Sequence, residues 1–124
     1  MIQALKLAVT VQLDKNRIAE IAARLGPRAA DEVISRTMEE LAVQLAKVHR
    51  AVERGLNNDA QAAARKIAEF SAHIGMPSLS TAAATVAEVS NGNCCVALVA
   101  TAARLDRIGE ASLMQVWDLQ DLSM

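Results

Sequence analysis

Aromatic side chains are nearly missing: the 124 residues include one Phe, one Trp and no Tyr. A sheet core built on aromatic and β-branched packing is therefore disfavoured. Glycine and proline are scarce as well, at five and two, too few to punctuate a chain of many short strands. The glycines are dispersed singly, so no glycine-rich phosphate loop is present. Cysteine is limited to the adjacent Cys94 and Cys95. Sequence neighbours are poorly placed to bond each other, and the pair reads as two small apolar helix residues in a reducing cytoplasm. With His49 and His73 far apart, no familiar zinc spacing exists, and neither a metal nor a cofactor is expected. An excess of one charge is missing too. Thirteen basic and 14 acidic residues give a net charge of -1 without any block of like charge, which argues against a nucleic-acid partner. No apolar run approaches the roughly 18 residues of a membrane span. Residues 1–11 are apolar but lack a basic leader and a small-residue cleavage pattern, so neither a signal peptide nor membrane association is expected.

What the chain has is alanine, 25 residues of it, within a hydrophobic fraction of 52%. Alanine is the best helix former and is depleted in strands, so closely packed helices are the expected fold. A chain of this length buries one core, and residues 1–124 read as one domain.

Apolar residues recur three or four apart between the few breaks, the period of a half-buried helix. A short first helix, 15–25, puts Ile18, Ile21, Ala22 and Leu25 on one face. Gly26-Pro27 ends it and opens a second helix, about 28–54, carrying Val33, Met38, Leu41, Leu45, Val48 and Val52. Gly55 stops that helix, and Asn58 with Gln61 resembles a capping box. A third helix, 59–74, carries Ala63, Ile67, Phe70 and Ile74 and continues past Pro77 to residue 89; Pro77 either bends it or divides it in two. After the loop 90–93, a further helix runs from about 94 to beyond 108 with Leu98, Ala102 and Leu105. Trp117, with Leu113, Val116 and Leu122, is expected to seal one end. Residues 6–13 alternate loosely and could be extended. Short connections between long amphipathic helices predict an all-α, up-down antiparallel four-helix bundle with a short additional N-terminal helix.

Residues 64–79 carry a more specific pattern. Ala64, Ile67, Ile74, Gly75 and Leu79 keep the register of the signature helix of histidine-containing phosphotransfer (HPt) domains, and the chain resembles that family over about 15–108. The resemblance implies a phosphorelay protein of two-component signalling, whose partner is a response-regulator receiver domain or a histidine kinase. The reactive positions depart from the pattern. Arg65 stands at the family's phosphoacceptor histidine, Ala68 at its lysine and Glu69 at its glycine. A guanidinium has no free lone pair with which to attack a phosphoryl group. Glu69 brings bulk and negative charge where an incoming phosphoryl would sit. The resemblance thus implies docking without phosphate acceptance, on a surface made by Ala62, Arg65, Lys66, Ala68, Glu69 and Ala72.

Two histidines remain as alternative phosphoacceptors. Residues equidistant from the turn near 56 and 57 should face each other, which puts His49 about level with Arg65, on the flank of the second helix and partly exposed. His73 lies eight residues beyond Arg65, roughly 12 Å along the axis and about 80° around it, close to the Gly75–Pro77 break. Both also read as surface histidines, and Ser71, Ser78, Ser80 and Thr81 as caps and packing residues. An unrelated structural helical bundle is the other alternative. Exposed alanine-rich faces leave a homo-oligomer open.

Overall fold

The structure, a computed structural model, describes residues 12–92 and 94–122. Among them are five helices and no strand: α1 Lys15–Leu25, α2 Pro27–Glu53, α3 Asn57–His73, α4 Pro77–Ser90 and α5 Cys95–Leu122. The all-helical expectation holds. The possible extended stretch at 6–13 lies almost wholly outside the described residues.

The helix breaks follow from local chemistry. Gly26 ends α1 with φ +84°, a conformation that side chains disfavour, and Pro27 opens α2 where its missing N–H costs nothing. Pro77 divides the third expected helix rather than bending it. The α3 chain turns through Ile74, Gly75 and Met76 before α4 begins. Gly75 has φ +76°, and a Cβ there would lie 2.7 Å from the Asp14 carbonyl oxygen. The close approach lets the Asp14 N–H donate to the Gly75 carbonyl at 2.7 Å. Asp14 also caps α1, its Oδ1 accepting from the Arg17 N–H. The start of α1 is thereby pinned to the α3–α4 corner.

Two sequence readings are corrected. Asn58 and Gln61 form no capping box, since no side chain caps α3. Gln61 Nε2 instead donates to the Ala87 carbonyl at 3.0 Å and to Asn91 Oδ1 at 2.6 Å, tying α3 to the end of α4. Trp117 does not seal the core; it is 51% exposed, while Val116 and Leu113 on the same helix are buried. A step of one residue turns a helix by about 100°, enough to swing Trp117 outward beside an inward Val116.

Sequential helices pack on one another, and α2 also packs on α5. Ser80 Oγ on α4 donates to the Ala68 carbonyl on α3. With Gln61 reaching Ala87, the α3–α4 contacts run in opposite chain directions. The α2–α5 seam runs oppositely too, with Gln120 Nε2 on Asp31 and Ser35 at one end and Asp106 near His49 further along. Between these, Gly109 is buried, and a Cβ there would stand 2.8 Å from Leu45 Cδ1, so a side chain at 109 would require Leu45 to shift. Met38, Leu41, Val48, Ile67, Leu79, Val86 and Leu105 are almost completely buried in one continuous core. Each large aliphatic among them contributes roughly 1.5–3 kcal/mol relative to exposure. Helix α1 has no fully buried residue; Ile18 and Ile21 pack against the core, while Leu25 is 46% exposed.

Candidate functional site: the outer face of α2 and α3

Helix α3 buries Ala60, Ala63, Ala64, Ile67 and Ser71. At 100° per residue that commits Ala62, Arg65, Lys66, Glu69 and Ala72 to the opposite face, and all five are exposed. Ala68 differs: it is half-buried, packs against the core, and its carbonyl is taken by Ser80 Oγ. Five of the six expected docking residues therefore share one outer stripe, with Arg65 at the middle of the helix, and Ala68 sits at its α4 edge.

Helix α2 adds residues that sequence reasoning did not single out. A groove of about 300 Å³ runs along the α2–α3 seam, lined by Lys47 and Arg50 from α2, by Arg54 at its C-cap and by Asp59, Ala62 and Lys66 from α3. With Arg65, five cations gather on this face against the carboxylates of Asp59 and Glu69. None of the seven is ion-paired among the described residues, whose three ion pairs lie elsewhere. On a protein of net charge -1 these unpaired cations make a local positive field. The signal was available in the sequence, because Lys47, Arg50 and Arg54 recur at a spacing of three and four and so share one side of α2. Leu56 also lines the groove and is 46% exposed.

The alternative phosphoacceptors lie off this face. His49 is exposed, but it turns toward α5. Its Nε2 stands 3.0 Å from Glu53 Oε1 and its Nδ1 3.4 Å from Asp106 Oδ2. It is thus not opposite Arg65 across the α2–α3 seam. A carboxylate oxygen thus lies beside each ring nitrogen, and a phosphoryl group on either would meet negative charge. His73 is exposed at the last residue of α3. It lines a groove with Arg17 and Phe70, and its carbonyl accepts from Arg17 Nε at 2.9 Å.

The hydroxyls serve structure. Ser71 Oγ donates to the Ile67 carbonyl, and Ser78 Oγ accepts from the Gln12 N–H. Cys94 and Cys95 are free and exposed at the start of α5, not packed into the helix surface. Among the described residues, no three His, Cys, Asp or Glu side chains are grouped to hold a metal ion, and no helix is long and apolar enough to cross a membrane. Compared with protein-family models, with curated proteins and with solved structures, the chain matches none.

Proposed function

We propose that the chain is a cytoplasmic HPt-like protein of a phosphorelay that docks a receiver domain or histidine kinase without accepting phosphate at position 65. In this reading α2 to α5 form the up-down four-helix bundle and α1 is the short additional helix that covers one end. The pairing of successive helices and of α2 with α5 supports it. The observation that carries the reading is the exposed Arg65 at mid-α3 among unpaired cations. That is where the resemblance puts the partner's acidic phosphorylation pocket.

Arg65, Lys66, Lys47 and Arg50 supply charge-assisted donors to the partner's carboxylates. Ala62 and Ala72 keep the stripe low enough for a helix or loop to lie across it. Because a guanidinium cannot attack phosphorus and Glu69 repels the phosphoryl group, the complex forms without turnover. Such binding sequesters the partner or blocks its proper phosphodonor.

The test is to rebuild the reactive positions. Arg65→His, Ala68→Lys and Glu69→Gly together should take up acid-labile phosphate from a receiver domain charged with acetyl phosphate, while the wild type stays unlabelled. A triple variant that folds and still binds the receiver yet remains inert contradicts the register. Label on the wild type that disappears in His49→Ala contradicts docking without turnover.

A further inference from the structure

Four of the eight exposed large apolar side chains of the described residues lie on one helix, α5: Val96 at 79% exposure, Val99 at 58%, Met114 at 55% and Trp117 at 51%. Four such side chains left in water on one helix are apolar surface that a partner would cover. The outer residues of α5 follow a regular order. Val96, Ala100, Ala103, Arg107, Glu110, Met114 and Trp117 are all exposed and are spaced four, three, four, three, four and three apart. That alternation has the spacing of a two-stranded coiled-coil seam over three heptads, with Arg107 and Glu110 at its centre and apolar residues on either side. Within this chain nothing among the described residues pairs with Arg107 or Glu110.

We propose that α5 is a homodimer seam, in which two copies of the chain pair their α5 helices antiparallel about a two-fold axis near residues 108 and 109. Charge and size select this arrangement together. In an antiparallel pair centred there, Arg107 of one copy meets Glu110 of the other, twice by symmetry. Ala103 then lies opposite Met114, and Ala100 opposite Trp117, so Met114 and Trp117 each enter the space left by an alanine. A parallel pair would set Arg107 against Arg107, Glu110 against Glu110 and Trp117 against Trp117. Like charges at a seam cost stability and large faces large, so the parallel form is disfavoured on both counts.

The seam is about 32 Å long at 1.5 Å per residue and one helix wide. It is therefore smaller than the roughly 800 Å² per partner of a standard stable interface. The dimer forms and dissociates with concentration, anchored by Trp117 and Met114. It lies on α5 and leaves the α2–α3 face open, so a dimer presents two docking faces. The inference is independent of the phosphorelay reading.

The experiment uses the full chain with Cys94→Ser and Cys95→Ser, carrying Ala103→Cys, Met114→Cys or both, oxidised at high protein concentration. The double variant should give a disulfide-linked dimer in good yield. Each single variant should give little, because like positions on the two copies are roughly 16 Å apart along the axis. Single variants that cross-link as readily as the double one overturn the antiparallel register, and a double variant that stays monomeric overturns the seam. A second measurement needs no cysteine. Sedimentation across the micromolar-to-millimolar range should show the wild type rising toward twice the monomer mass. Arg107→Glu should hold it at the monomer mass with its helical circular dichroism intact, and adding Glu110→Arg should restore the rise. An Arg107→Glu chain that sediments like the wild type contradicts the pairing.

Discussion

Gly75 and Arg65 sit ten residues apart on the same stretch of chain and depend on different physics. Gly75 is fixed by backbone shape: a positive φ and an approach of 2.7 Å from a would-be Cβ to the Asp14 carbonyl oxygen leave no room for a side chain. Gly75→Ala should therefore cost about 1–3 kcal/mol, combining left-handed strain with the clash. Urea unfolding would register it as a lower midpoint, and an unchanged midpoint would mean that the α1 corner gives way without cost. Arg65 is fixed by nothing inside the molecule, since it is exposed and has no ion-pair partner among the described residues. A side chain with no structural duty on an otherwise well-packed helix is free to serve recognition. His49 is the opposite case. Its exposure suits a phosphoacceptor, but its two carboxylate neighbours do not.

Helix boundaries were legible where the chemistry is local. Gly26-Pro27 and Gly75-Pro77 are punctuation that acts within a residue or two, and the structure breaks at both. Faces were legible where apolar residues repeat, as with Leu41, Val48, Ile67 and Leu105, all at 0% exposure. What failed depended on a second helix. Gln61 resembles the end of a capping box because the pattern is short; its amide reaches Ala87 and Asn91, thirty residues away at most, which no local spacing reports. The distinction is measurable. Gln61→Ala should destabilise by about 1 kcal/mol through two lost hydrogen bonds, whereas Asn58→Ala, at an exposed site that caps nothing, should stay within about 0.5 kcal/mol. Equal losses at both positions would restore the capping box. The exposure expected of His49 holds, but counting residues from a turn gives the level along α2 and not the side, and its neighbour Asp106 belongs to α5. The Lys47, Arg50 and Arg54 row was readable from spacing, but its meaning came only when Lys66 joined it across the seam.

At the scale of the whole molecule, two faces with different chemistry lie on different helices. One, on α2 and α3, is basic with small residues between the charges; the other, on α5, is apolar with a charged centre. Near-neutral overall charge conceals the first and an unbroken helix conceals the second, so neither was visible in composition. In the proposed docking, the basic face would steer toward an acidic surface, with a contribution that falls with added salt as exposed charges are screened. The most direct test is a titration of the isotope-labelled protein with an isolated receiver domain, followed by amide shifts and repeated with Arg65→Glu. Docking at the proposed face predicts perturbations concentrated on α2 and α3 around Lys47, Arg50, Arg65 and Lys66, and affinity at least about tenfold weaker in the variant, a loss of about 1.4 kcal/mol. Perturbations centred elsewhere, or an Arg65→Glu protein that binds as tightly as the wild type, would contradict it.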